Sequence, residues 1–206
     1  MIRTAKFIIG SIAIAFALAG ATPSYAQSSR IEEALTPKTT SSKTRSLTRS
    51  FDPKAAASQN ALQKARTRAI SIEAVTPATK EEREEIAKVI EDKPKIDLAI
   101  FFDYNSDVIG PKAAAAVDEL GAALKSPKLQ GANIVLNGHT DAAGSAEYNL
   151  GLSHRRAQSV RRYLIERHGI APDKLAVFGF GFEKLKVPSQ PLSGENRRVE
   201  VVNVVD

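Results

Sequence analysis

Beyond residue 95 the chain alternates short apolar runs with segments of helical period. Ile96–Asp103 is an apolar run of strand length, with Ile96, Leu98 and Ile100 on one face. Gly110-Pro111 opens an alanine-rich helix whose Val117, Leu120 and Leu124 form one stripe, closed before Pro127. Asn133–Asn137 predicts a second strand that runs into Gly138-His139-Thr140-Asp141. From about Ala146 to His168 the period predicts a long helix, with Gly169 as its C-cap. Leu175–Gly179 and Arg197–Val204 predict two further strands. Helices between strands predict an α/β (α+β) fold of two layers over residues 96–206, with helices packed on a mixed sheet.

Upstream the pattern changes twice. Thr79 with Glu82 makes a capping box, Ile86, Val89 and Ile90 form one apolar stripe, and Glu84 and Lys88 stand at i,i+4. This predicts a short helix, Lys80–Asp92, ended by Pro94, in a lead-in segment (79–95) docked on the domain. From Gln27 to about Ala78 the chain is rich in Ser, Thr, Lys, Arg and Ala and poor in large apolar residues. Such a stretch offers too little burial to offset its ordering entropy, so a disordered, flexible linker is expected over 27–78. At the N-terminus Arg3 and Lys6 precede an apolar run, Phe7 to about Ala19, and then small residues to Ser24-Tyr25-Ala26. That order predicts a secretory signal over 1–26, cleaved after Ala26, and hence an exported protein. The alternative is an uncleaved membrane anchor, for which the run falls short of the roughly 20 residues a span needs.

Composition narrows the chemistry. The 206 residues include no cysteine, which excludes disulfides, thiol catalysis, cysteine-ligated zinc and a lipid-modified cysteine. The net charge of +6 is unevenly placed. Residues 27–70 hold nine basic and three acidic side chains, whereas 96–206 hold thirteen of each. The excess belongs to the basic linker, so no nucleic-acid-binding face is expected. His139 and Asp141 share a strand side if extended, but no third ligand has metal-site spacing. No nucleophile elbow or P-loop appears either. The chain therefore reads as a binding protein, not an enzyme, with no cofactor and no metal.

One feature of the long helix points to a site. At about 100° per residue, Arg156 falls about 40° from Leu152, on the side shared with Asn149, Val160 and Tyr163. Arg155, Arg161 and Arg162 fall elsewhere and read as solvated charges; His154 reads as exposed and His168 as a cation at the helix end. A guanidinium on the core side needs an anion or the edge of the core. Asp141, just before the helix, is the nearest candidate. Two readings stay open: a structural Asp141–Arg156 salt bridge, or a split site. In the split site Asp141 takes the cation and Arg156 the carboxylate of one zwitterionic ligand. Helix N-terminal amides after Gly144 could add donors.

Gly138-His139-Thr140-Asp141, Gly144, Tyr148-Asn149 and Leu152-Ser153-x-x-Arg156-Ala157 resemble the signature of OmpA-like C-terminal domains, modules also found in Pal and MotB proteins. Phe101-Phe102-Asp103-Tyr104-Asn105-Ser106, Gly179-Phe180-Gly181 and Glu195-Asn196-Arg197-Arg198-Val199-Glu200 add to the resemblance, which covers about residues 97–204. It implies a βαβαβ-type module that binds peptidoglycan non-covalently through diaminopimelate of the stem peptide, in the periplasm and in association with the outer membrane. Asp141 would take the ammonium and Arg156 the carboxylate. Asn105, Thr140, Asn149 and Arg197 match family positions lining the same pocket. Leu152 and Ala157 match too, as packing residues. The chain lacks the barrel, lipidated cysteine or transmembrane helix of full-length family members, so outer-membrane attachment would need a partner, reached through residues 27–95. The alternative function is a periplasmic adaptor for protein, whose Asp141–Arg156 pair is only structural.

Overall fold

The computed structural model describes residues 23–38, 60, 63, 77–100, 102–103 and 105–204. Most of the expected signal (1–26) and of the 27–78 linker lies outside the described residues, as do Phe101 and Tyr104. Four helices and four strands are described: α1 (Pro23–Leu35), α2 (Lys80–Val89), β1 (Lys95–Leu98), α3 (Pro111–Leu124), β2 (Ile134–Gly138), α4 (Ala146–His168), β3 (Leu175–Gly179) and β4 (Val199–Asn203). The sheet is mixed, in the order β1-β4-β2-β3. Strands β2 and β3 run parallel, joined by the α4 crossover, and β4 lies antiparallel to both its neighbours.

Strand alternation divides the interior in two. Ile134, Leu136, Leu175, Val199 and Val201 face α3 and α4, meeting Val117, Leu120, Ala157, Val160 and Leu164. Val135, Ala176, Phe178, Val202 and Val204 face the other way, against Ala78, Ile86 and Ile90. The lead-in helix α2 therefore covers the second face of the sheet, adding a partial third layer to the two expected. Its capping box forms as the sequence predicts, with Thr79 N donating to Glu82 Oε2 (2.9 Å) and Glu82 N to Thr79 Oγ1 (3.3 Å). Arg83 then ties α2 down, with Nε and Nη2 donating to the Glu183 carboxylate at 2.9 and 2.5 Å.

Helix α4 is set by its ends. The Ser145 hydroxyl accepts from Tyr148 N, and Gly169 closes the helix in the left-handed region at φ 66°. Its seat on the sheet depends on Gly138 and Gly179, which face each other across β2 and β3. A Cβ on Gly138 would stand 2.0 Å from the Ser153 carbonyl oxygen, and one on Gly179 2.6 Å from His154 N. Only glycines allow this approach, which brings α4 beside the loop that leaves β2.

Three expectations need correction. The linker is not featureless at its start: α1 is a helix with Ile31 and Leu35 in the main core, and Leu35 O accepts from Asn203 Nδ2 (2.8 Å). Its i,i+4 apolar pair suffices because α3 and β1 supply the rest of the contact. Second, the run Ile96–Asp103 leaves the sheet after Leu98, and the following segment turns to another use described below. Third, His154 and Arg161 are buried rather than exposed. Arg161 Nε donates to Leu175 O (3.1 Å) and Nη2 to Pro172 O (3.2 Å), and burial lowers its pKa. The Pro172–Lys174 turn covers a side of α4 beyond its apolar stripe.

Candidate functional site

Three segments meet at the C-terminal end of β2: residues 102–103 with 105–109, the loop 140–145 with the first turn of α4, and residues 187–198. Arg156 rises into this meeting point from α4. It is 6% exposed, as its place on the core side of the helix predicts. Its Nε donates to Ser106 O (3.0 Å), its Nη2 to Asp103 O (3.4 Å), and its guanidinium carbon stands 5.1 Å from the Phe102 ring centre. This is the use to which the segment after β1 is put: leaving the sheet frees two main-chain carbonyls to hold a buried cation. Among the described residues no acidic side chain pairs with Arg156. Three of its five N–H groups have no partner there. Burial, and then the Arg197 cation, lower its pKa, while Asp141, Tyr148 and Asp107 oppose the shift.

The direct Asp141–Arg156 bridge, one of the two readings of the sequence, does not form. Asp141 instead accepts from Arg197 Nη1 (2.8 Å) through Oδ2, and from Ala143 N (3.2 Å) through Oδ1. The reason is geometric. The carbonyls of Asp103 and Ser106 already occupy one side of the guanidinium, and the turn at Ala143 aims the Asp141 carboxylate at β4's approach. Asp141 still acts on Arg156 electrostatically, so the three charges share one neighbourhood.

The other residues expected in the pocket divide by role. Asn149 is buried and works on the loop itself: its Nδ2 donates to Ala143 O (2.6 Å) and Ser145 O (3.1 Å). Thr140 is buried too; its N donates to Gly181 O (2.8 Å), and its hydroxyl has no partner among the described residues. Asn105 adopts a left-handed conformation at φ 51° and accepts from the Tyr148 hydroxyl, which ties residues 105–109 to α4. Arg197 is half-exposed and engaged with Asp141. Leu152 and Ala157 are buried in packing.

His139 and Asp141 do not share a site. His139 points to the opposite sheet face, stacked on Phe180 at 5.6 Å, beside a cleft of about 370 Å³ under α2. Burial, then Arg198 and Lys184, push its pKa down to about 3, so the ring is neutral at ordinary pH. Among the described residues no group of three His, Cys, Asp or Glu could hold a metal, and no helix is long and apolar enough to cross a membrane. Sequence reasoning missed the carbonyls of Asp103 and Ser106 and the role of Tyr148. Main-chain acceptors leave no mark on residue identity; only the Phe102–Ser106 motif hinted at them.

Residues 101–198 match the family described as the OmpA family. Over 103 residues the chain is 37% identical to a peptidoglycan-associated lipoprotein of Pseudomonas aeruginosa, covering 49% of this chain and 59% of that protein. Over 95 residues it is 39% identical to outer membrane protein A of Escherichia coli O157:H7, covering 46% of this chain and 25% of that one. The chain thus spans less than two thirds of either relative. Among solved structures, the C-terminal domain of Helicobacter pylori MotB is similar at 25% identity and a TM-score of 0.47, over 54% of this chain and 86% of that one.

Proposed function

We propose, from the premise that residues 101–198 are a domain of the OmpA family, that this chain binds peptidoglycan through the diaminopimelate of the stem peptide. It then acts in the cell envelope as a wall-binding protein rather than an enzyme. The observation that carries the reading is Arg156: a buried cation held by two carbonyls and a ring, with donors to spare and no acidic partner among the described residues. Burying such a charge costs several kcal/mol unless an anion meets it. A ligand carboxylate is that anion. Arg197, half-exposed and nearby, can share it, and Asp141 takes the ligand's ammonium. Asn149 and Asn105 hold the two loops in place, and Thr140, its hydroxyl buried, fixes the start of the loop by donating its N–H to Gly181 O.

Diaminopimelate carries an ammonium and a carboxylate on one carbon; lysine in the same position lacks the carboxylate. Without it Arg156 stays unmatched, an expected loss of about 1.5–3 kcal/mol for one charged hydrogen-bond set. Export to the periplasm, and an envelope or outer-membrane protein partner for residues 27–95, belong to the same proposal. The names of the relatives, a peptidoglycan-associated lipoprotein among them, support the envelope setting.

The test is co-sedimentation of the chain with diaminopimelate-type peptidoglycan, alongside Asp141→Asn and Arg156→Met, with lysine-type wall as control. Binding lost in both variants, and absent on lysine-type wall, is the expected result. Variants that sediment like the parent would refute the split site and leave the adaptor for protein as the better reading.

A further inference from the structure

On the sheet face opposite the charged site, α2 roofs a cleft of about 370 Å³, a volume in the range of small-molecule pockets. The roof, Lys80–Val89, lies outside residues 101–198, so the cleft is not a feature of the matched domain alone. His139 is part of its lining. It is 2% exposed, and neither Nδ1 nor Nε2 has a hydrogen-bond partner among the described residues. A neutral imidazole has one donor and one acceptor to satisfy, and buried polar groups are paired in the great majority of cases. The ring is not free to turn away in search of a partner. Its main-chain N donates to Arg198 O (2.9 Å) at the end of the β2–β4 ladder, and it is stacked on Phe180. The cleft is the side left from which a partner can come.

The walls define what that partner is. Ala87, Ile90 and Phe180 give the cleft an apolar side. Its charges differ in how far they are matched. Glu183 is held by Arg83, and Glu200 accepts from Asn137 Nδ2 (2.9 Å) with Lys95 at 4.0 Å. Glu84 and Glu91 stand exposed at the rim. Lys184, by contrast, has no acidic partner among the described residues, and its Nζ lies 5.6 Å from the Phe180 ring centre. Arg198 shares Asp97 with Lys186 (2.8 and 3.4 Å), one carboxylate between two cations. Arg198 and Lys184 both act on His139 as positive charges, which disfavours a metal ion there and favours an anion. We propose that this cleft is a second ligand site, which takes a small organic carboxylate with an apolar body. The carboxylate is received by Lys184, Arg198 and a ring N–H of His139, and the body lies against Ala87, Ile90 and Phe180. The site stands on the far side of the sheet from Asp141 and Arg156, and neither site needs the other.

The experiment is an NMR titration of the isotope-labelled full chain. Benzoate is the probe, benzamide the same body without the charge, and acetate the charge without the body. Benzoate is expected to give saturable shifts at Ala87, His139 and Lys184, half-complete by about 10 mM. One ring-nitrogen resonance of His139 should move with them, as its N–H gains an acceptor. Benzamide and acetate are each expected to bind at least about tenfold more weakly, the scale of one charged hydrogen bond or of the apolar area left uncovered. Lys184→Met keeps the stem over Phe180 at an exposed position, so folding is kept. It is expected to weaken benzoate about five- to tenfold and to leave co-sedimentation with peptidoglycan unchanged. No saturable shift by that concentration, equal binding of benzamide, or shifts confined to Asp141 and Arg156 would overturn the second site. So would a benzoate affinity that Lys184→Met leaves alone, or His139 ring nitrogens that stay still while benzoate binds.

Discussion

Gly138→Ala is the sharpest probe of how the site is held. The added Cβ would lie 2.0 Å from the Ser153 carbonyl oxygen and 2.8 Å from its carbonyl carbon. A close carbon–oxygen contact is about 3.3 Å, so α4 must withdraw from β2 by about 1 Å or more. The obstacle is backbone, and no rotamer change relieves it. Withdrawal loosens Leu152, Ala157, Val160 and Leu164 together, all buried on the same helix. Overpacking of this kind costs about 1–3 kcal/mol and sometimes more. With four core side chains involved, the upper end is expected: about 3 kcal/mol, or a fall in Tm of roughly 10 °C or more. Two further glycines calibrate the series. At Gly121 the Cβ would meet the base of the His168 ring, with Cγ at 2.3 Å, so the whole ring must leave its place and its bond to Asp118, a cost of at least about 1 kcal/mol. At Gly131 it would meet nothing within 4 Å, and alanine there should change stability by under about 1 kcal/mol. Urea unfolding followed by far-UV circular dichroism orders the three. Gly138→Ala within about 0.5 kcal/mol of Gly131→Ala would refute the close seating of α4. Because Arg156 stands one turn beyond Ser153, the same variant should also lose wall binding.

Three more outcomes follow from single side chains. Arg156→Met keeps the buried stem but removes a cation without an acidic partner, so stability should change by less than about 1.5 kcal/mol while wall co-sedimentation disappears; a loss above about 3 kcal/mol would make the residue structural. His139 has a folded pKa of about 3, below the usual 6.5, so the unfolded chain takes up the extra proton and stability falls as pH drops from 6.5 toward 3. His139→Phe keeps the stack on Phe180, and its urea midpoint should fall less than the parent's between pH 7.5 and pH 5; parallel falls would show that burial does not hold the ring neutral. Leu35→Ala should cost about 2–5 kcal/mol on thermal unfolding, since Leu35 is fully buried, and a cost under about 1 kcal/mol would remove α1 from the core.

Much of this was legible because period is a strong signal. The helix Ala146–His168 and the strand Leu175–Gly179 have the bounds the sequence predicts, and the Thr79–Glu82 box caps α2 as expected. The burial of Arg156 was legible for the same reason: a helical wheel gives its side directly. What the wheel could not give was a second covered side. It assumes one buried stripe, whereas α4 also lies under the Pro172–Lys174 turn, which is why Arg161 is buried against Leu175 O and Pro172 O. Helix α1 was illegible because Ile31 and Leu35 are only two residues in a polar stretch. Their partners lie far along the chain, with Leu35 O bonded 168 positions away at Asn203.

The choice of partner for Arg156 is the part that matters most for function, and sequence reasoning could narrow it only to two. Had Asp141 bridged Arg156, a ligand would have to break a buried ion pair to enter. The structure puts the breakable pair at the surface instead, between Asp141 and a half-exposed Arg197, where such a pair contributes little. Arg156 is stabilised by carbonyls that hold it without neutralising it. Two arginines, Asp141 and Asp107 act together at the site, and a zwitterion leaves their charge balance unchanged. On the proposed reading, a zwitterionic end can place its carboxylate on the arginines and its ammonium on Asp141 without stranding either arginine or Asp141. A lysine ammonium would compete with Arg197 for Asp141 and add an unbalanced positive charge, with nothing to offer Arg156. Selectivity between wall types is then a matter of charge count as well as shape, and it should weaken as salt is raised, most of all at the exposed Arg197.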